Sequence, residues 1–417
     1  MTDASALIER YGHFVNPGLA RALRFMGMEA VEKTGHGAVL VTEDGDEYLD
    51  CAGGYGVFVQ GYQHPRIVAK AHAQLDTMAL SSHVLLNRPM IDLAEELARL
   101  TPGDLQYSFF CNSGTEAVEA ALKFARIQTG RSRIIATEGA FHGKSMGALS
   151  VSGREIYQKP FSPLVPDIVH VAYGDAQQIA EVIDDRTAAV IVEPIQGEGG
   201  VVIPPDDYLP RIRELCDTYG ALWIADEVQT GIGRTGRMFA VEHAGVIPDF
   251  LCLAKALGGG VVPIGAVVAR AEAWTFFDSA PLIHTSTFGG NPLACAIAQE
   301  ALRVTAEERL PERAANLGSY FLQSLADLQR QFPEVITAVR GRGLMIGVEV
   351  PGAGVGGAII SELFSRHVLA VYTLNNEKVI RLIPPLVITP AEIDQVLVAF
   401  RESLGVIRPM VNDLLEG

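Results

Sequence analysis

The sequence predicts an α/β fold built on a mainly parallel sheet, with a smaller α+β part formed by the two ends of the chain. Three features carry this. Short apolar runs recur through the middle of the chain, and several lack alternation, as strands buried on both faces do. Amphipathic stretches of helical period lie between them. Both ends show a different pattern, a hairpin early and helix–strand repeats late. Strand–helix–strand rhythm lays helices over a parallel sheet, whose ligands gather at the carboxyl ends of the strands.

In chain order, GAVLVTEDGDEYLD (37–50) reads as a hairpin turning at Asp44-Gly45. LQYSFFC (105–111) reads as a strand, and TEAVEAALKFARIQ as a helix with Ala117, Ala120, Ala121 and Phe124 on one face. RIIAT (133–137), AAVIVEP (188–194), ALWIADE (221–227), FLCLA (250–254) and IGAVVA (264–269) are further strands. PPDDYLPRIRELCDTYG is a crossover helix, and another helix is expected over 293–305. Beyond about residue 305, ERAANLGSYFLQSLADLQRQF reads as a helix and GRGLMIGVEV as a strand, followed by another helix and strand. PGAGVGG (351–357) reads as a surface loop.

Composition narrows the function. With 33 basic and 49 acidic residues the net charge is −16, which argues against nucleic acid and anionic membranes as partners. Five cysteines without a CxxC pattern suit reduced thiols in a cytosolic protein. No apolar run reaches the ~18 residues of a membrane helix, and the first residues lack the apolar core of a secretory signal. The expected location is cytoplasmic. No metal site is expected.

Five motifs carry chemistry. Asn112-Ser113-Gly114-Thr115-Glu116 follows a strand and opens a helix. Ser113 and Glu116 fit a capping box. The same stretch offers an anion a helix N-terminus, a close backbone approach at Gly114 and two hydroxyls. Asp226 ends the apolar strand ALWIA, where a carboxylate must be paired or face a cleft, for instance toward a protonated heterocycle nitrogen. Lys255 is one of only seven lysines and alone ends an apolar strand before a glycine run. Desolvation there would lower its pKa and free a nucleophilic amine. Phe141-His142-Gly143 follows another strand, where an aromatic can cover a flat ring and His142 can hydrogen-bond. Thr285 to Pro292 forms a hydroxyl-and-glycine loop before a helix.

Two nucleotide fingerprints fail. Gly231-Ile232-Gly233-Arg234-Thr235-Gly236 matches G-x-G-x-x-G, but it starts five residues after its strand and lacks an acid at the end of the next one. Gly143-Lys144-Ser145 would need glycine at 138 to make a phosphate loop, and 138 is Glu. A phosphate cup, a ring cover, an acid for a ring nitrogen and a desolvated lysine, each at a strand end, instead describe a pyridoxal-phosphate site.

Over nearly its whole length the chain resembles the class III, fold type I pyridoxal-phosphate aminotransferases. The stretches that carry the resemblance are FFCNSGTEAVEAALKFAR, GAFHGKSMGALS, EPIQGEGGV, DEVQTGIGRTG, LAKALGGG, TSTFGGNPLA and RLIPPLVIT. It implies a large domain of residues 54–305 and a small one of 1–53 with 306–417. It implies that Lys255 bonds the cofactor and is catalytic with Asp226, which pairs with the ring nitrogen. Gln229 would approach the ring hydroxyl, Val228 and Phe141 would sandwich the ring with His142 beside it, and Ser113, Gly114 and Thr115 would hold the phosphate. Thr287 would reach the phosphate of the neighbouring subunit in a homodimer with shared sites. Arg381 would bind the carboxylate of a 2-oxo acid, Glu198 would pair with that arginine when an ω-amine donor is bound, and Tyr55 would lie on the substrate side.

Within the family the wording is similar to bacterial putrescine aminotransferases, then to ornithine aminotransferases. The implied activity is transfer of the terminal amino group of a diamine or ω-amino acid to a 2-oxo acid such as 2-oxoglutarate, by a ping-pong mechanism. Alternatives are an ornithine or acetylornithine/lysine type, or a pyridoxal-phosphate lyase or decarboxylase on the same scaffold. Acetylornithine enzymes have arginine after FHG, and position 144 here is lysine.

Overall fold

The structure, a computed structural model, describes residues 4–416. Its centre is a seven-stranded sheet of β4 (Leu105–Cys111), β5 (Arg133–Thr137), β6 (Ile168–Val171), β7 (Thr187–Val192), β8 (Leu222–Asp226), β9 (Phe250–Leu253) and β10 (Gly265–Arg270), in the order β4-β10-β9-β8-β7-β5-β6. β10 runs antiparallel to both its neighbours, and the other four pairings are parallel. β4 therefore points the same way as β9, and six carboxyl ends share one edge. Every residue of β7 and β9 is buried, which is why these strands read as unbroken apolar runs. The helix Gly114–Thr129 buries Ala117, Ala120, Ala121 and Phe124. Phe124 meets the rings of Phe109, Phe250 and Trp274 at 5.4–6.3 Å. The crossover helix is Tyr208–Tyr219.

The expected hairpin near the start is β2 (Val39–Thr42) with β3 (Glu47–Asp50), and a further strand, β1 (Glu32–His36), pairs with β2. Near the other end, β11 (Ala338–Arg342), β12 (Met345–Glu349), β14 (Val371–Tyr372) and β15 (Val379–Leu382) form a second four-stranded sheet. The short β13 (Val368–Leu369) instead pairs parallel with β3, through Val368–Leu49, and so joins the C-terminal segment to the first sheet.

Two expectations need correction here. GRGLMIGVEV is not one strand but the turn and second arm of the β11–β12 hairpin, reversing at Gly343 with φ +58°, a left-handed conformation that glycine adopts freely. PGAGVGG is not a loop: Gly352 caps a helix that runs Ala353–Ser365. Gly354 serves packing, since a Cβ there would stand 2.6 Å from the Leu414 carbonyl oxygen. No helix among the described residues is long and apolar enough to cross a membrane.

Candidate active site

A cavity of about 530 Å³ opens where the strand ends converge, and its lining includes Ser113, Phe141, Asp226, Val228, Gln229 and Lys255. Lys255 follows β9 by two residues, in a left-handed backbone conformation with φ +46°. That conformation is strained for a residue with a Cβ and recurs at functional positions. Enclosure of its amine pushes the pKa down to about 8. Glu198 opposes this, Arg381 adds to it, and Asp226 opposes it in turn.

Asp226 ends β8 and is buried. Its Oδ1 accepts the Val228 N–H at 3.0 Å, and its Oδ2 lies 2.7 Å from His142 Nδ1. Burial alone would lower the His142 pKa, but the hydrogen bond to Asp226 and the charges of Asp226 and Glu193 outweigh it and raise it. His142 is thus tied to the carboxylate, and its buried Nε2 has no partner.

The helix cap expected at 112–116 forms at the edge of the cavity. Ser113 Oγ accepts the Glu116 N–H at 3.3 Å, and Glu116 reaches back to the Asn112 N–H at 2.8 Å. Ser113, Gly114 and Thr115 also line the cavity. A Cβ on Gly114 would stand 2.8 Å from Val228 Cγ1, and one on Gly143 would stand 2.2 Å from Thr115 Oγ1, so both glycines allow close backbone approach. Gln229 Nε2 donates to the Tyr55 carbonyl at 3.1 Å, while its Oε1 is buried without a partner.

Beside the cavity, Arg381 on β15 is completely buried and pairs through Nη1 with Glu198. Its Nε and Nη2 have no acceptor among the described residues. Glu198 also accepts the Leu374 N–H at 2.8 Å. Burial pushes the Glu198 carboxyl up, but Arg381, that amide and Lys255 together hold it below the ordinary carboxylate value. The Arg381 guanidinium lies 5.5 Å from the Tyr55 ring centroid.

Thr287 does not reach this cavity. It is exposed, on a loop tied back by a 3.3 Å bond from Asn112 to Ser286. Sequence reasoning missed Glu193, which lines the cavity. It accepts the N–H groups of Phe141 and Gly197, each at 3.0 Å, and burial raises its pKa to about 7, with His142 lowering and Asp226 raising it. The signal was the one that exposed Asp226, a carboxylate just past a fully apolar strand.

Comparison with known proteins gives a consistent picture. The family model for aminotransferase class-III matches residues 25–404. The crystal structure of ornithine aminotransferase from Toxoplasma gondii ME49 is 36% identical, covers 92% of each chain and has a TM-score of 0.86. A transaminase from the marine bacterium Virgibacillus is 30% identical over 97% of this chain and 99% of that one, with a TM-score of 0.91. An amine transaminase from an uncultivated Pseudomonas species, in its PLP-bound form, is 32% identical over 90% of this chain and 95% of that one, with a TM-score of 0.84.

Proposed function

Because the chain belongs to the class-III aminotransferases and uses pyridoxal phosphate, we propose that it moves the terminal amino group of a diamine or ω-amino acid, putrescine-like by preference, to a 2-oxo acid such as 2-oxoglutarate. The observation that carries this reading is the buried Arg381–Glu198 pair, whose arginine keeps two N–H positions without an acceptor. An arginine fork with free parallel donors suits a carboxylate. A carboxylate already beside it neutralises the arginine while an amine donor without a carboxylate is bound.

The residues of the cavity suit the cofactor. The unpartnered Gln229 Oε1 can meet a ring hydroxyl, and the glycines at 114 and 143 leave room for phosphate oxygens. Bound pyridoxal phosphate supplies an aldehyde that takes up the amino group and a ring that draws electrons from the reacting carbon. In this proposal Ser113, Gly114 and Thr115 hold the phosphate at the helix N-terminus. Phe141 and Val228 flank the ring, and Asp226, held by His142, keeps a proton on its nitrogen. Lys255 Nζ is displaced by the donor amine. Freed, Lys255 Nζ would be the base that moves the proton from the substrate carbon bearing that amine. Water would release the product aldehyde while its nitrogen stays behind, the 2-oxo acid would then bind at Arg381, and the order of events would be ping-pong.

Thr287 completes the site of a second copy in this reading. Leu282, Ile283 and Phe288 are exposed around it. Val84, Leu85 and Leu86 are exposed next to Asn87, which donates to the Gly290 carbonyl at 2.7 Å. An apolar surface of this kind suits a homodimer. An ornithine-type donor is the second reading, favoured by the Toxoplasma neighbour and by Tyr55 beside Arg381. A donor panel of putrescine, cadaverine, ornithine, lysine and 4-aminobutyrate with 2-oxoglutarate and with pyruvate tests the proposal. Turnover with a terminal amine supports it, and turnover with α-amines alone overturns it.

A further inference from the structure

The run Gly231-Ile232-Gly233-Arg234-Thr235-Gly236, whose glycines fail the dinucleotide fingerprint, carries a completely buried guanidinium. Arg234 Nη1 donates to two carbonyls at once, Leu344 at 2.9 Å and Pro384 at 2.6 Å. The Arg234 carbonyl accepts the Leu344 N–H at 3.1 Å. Gly343 brings the hairpin tip onto the same backbone, since a Cβ there would stand 2.6 Å from the Arg234 carbonyl oxygen. Nε and Nη2 are buried without acceptors among the described residues, and Asp50 is the carboxylate whose charge favours the guanidinium. Burying a guanidinium with no carboxylate hydrogen-bonded to it is costly, so packing is a poor reason for it.

Register explains what the contact does. β12 and β15 pair antiparallel through Ile346–Leu382, Gly347–Arg381 and Val348–Ile380. Carried two residues past Ile346–Leu382, the same register sets Leu344 opposite Pro384. Proline has no N–H, so the backbone ladder cannot extend from that side. Arg234 supplies a donor to both facing carbonyls instead and closes the open end of the ladder. That end lies three residues from Arg381. The other end of the loop is tied to the Asp226 strand by the bond from the Gly231 N–H to the Glu227 carbonyl, at 3.0 Å. One loop therefore spans the strand that presents Asp226 and the strand that presents Arg381.

We propose that Arg234 is a positioning residue for Arg381, fixing the β12–β15 end so that the Arg381 fork stands correctly for the carboxylate of the 2-oxo acid. This rests on the reading of Arg381 as the carboxylate-binding arginine. Arg234 does not line the cavity. Both bonds leave one nitrogen, Nη1, which stands one bond farther from the backbone than a lysine nitrogen reaches.

The test compares Arg234→Lys, Arg234→Gln, Arg381→Ala and the Arg234→Lys/Arg381→Ala double variant as holoenzymes, with folding checked by thermal melts. The measurements are the dissociation constant of glutarate, a non-reacting dicarboxylate, and the single-turnover rate constants of the two half-reactions. Arg234→Lys is expected to weaken glutarate and lower the second-order rate constant with 2-oxoglutarate, each about tenfold, with the amine half-reaction within about twofold. Arg234→Gln should do the same or more, and it serves alone if the lysine variant does not fold. Arg381→Ala should lose about 100-fold with 2-oxoglutarate. The double variant should match Arg381→Ala, because a residue that acts only through Arg381 adds nothing once Arg381 is gone. Glutarate binding unchanged in both Arg234 variants, equal slowing of both half-reactions, or a full additional loss in the double variant overturns the proposal. Unchanged glutarate binding in Arg381→Ala overturns the reading of Arg381 itself, and the proposal with it.

Discussion

Replacing Glu198 separates the two halves of the proposed reaction. Arg381 is completely buried, and Glu198 is the acceptor for its Nη1 while Nε and Nη2 have none. Without Glu198 the guanidinium is a buried, uncompensated charge. Removing one partner of a buried pair costs about 3–5 kcal/mol. Water entering from the cavity reduces this, and we expect about 2–3 kcal/mol in the amine half-reaction, a factor of roughly 30–150 in rate. The 2-oxo acid brings its own carboxylate to Arg381, so that half-reaction should change by less than about fivefold. Glu198→Gln is the second variant: it removes the charge and turns one of the two oxygens that accept from Leu374 N–H and Arg381 Nη1 into an N–H donor. Single-turnover absorbance changes with putrescine and with 2-oxoglutarate measure the halves separately. Equal losses in both would mean that the pair is structural, and the exchange of amine and carboxylate at Arg381 would fail with it.

Three further outcomes follow from the same site. The apoenzyme should regain pyridoxal phosphate faster as pH rises, levelling above about 8 as Lys255 loses its proton; a rate still climbing beyond pH 10 contradicts the desolvated amine. Burial raises the folded-state pKa of Glu193 from 4.5 to about 7. The cost of its ionised form is therefore absent below about pH 4.5, grows up to about 7 and is full above, on the order of 3 kcal/mol. Glu193→Gln apoenzyme should consequently lose less stability than the parent between pH 5 and 8 in denaturant melts, and an unchanged slope refutes this. Mixing inactive Lys255→Ala and Thr287→Ala chains should restore part of the activity in hybrid dimers, whereas full activity of a dilute monomer refutes the shared site.

Six of the seven central strands were legible in the sequence to within two residues; those buried on both faces, such as β7 and β9, leave a plain apolar run, whereas the short, only partly buried β6 was not read as a strand. The β11–β12 hairpin was not legible, because its turn lies inside GRGL without a stronger turn signal than Gly343. A helix after that hairpin was expected, but the start of the one at Ala353–Ser365 was not legible, because the glycines of 351–357 read as a loop while Gly354 packs against the Leu414 carbonyl. Strand-end polar residues pointed to the cavity one by one, and the structure brings Ser113, Phe141, Asp226 and Lys255 together there. The bond between His142 and Asp226 was invisible, since its partners are 84 residues apart and neither pattern names the other. Arg234 was visible only as part of a failed fingerprint. Its burial and its two carbonyls are properties of the β12–β15 register and of no local spacing.

The most direct test of the account is the identity of the lysine that bonds the cofactor. Borohydride reduction of the holoenzyme followed by peptide mapping should place the cofactor on the peptide containing Lys255. Lys255→Ala should lose the visible absorbance band, the label and turnover together. Label on any of the other six lysines with Lys255 unmodified would contradict the assignment, and with it the roles given to every residue around it.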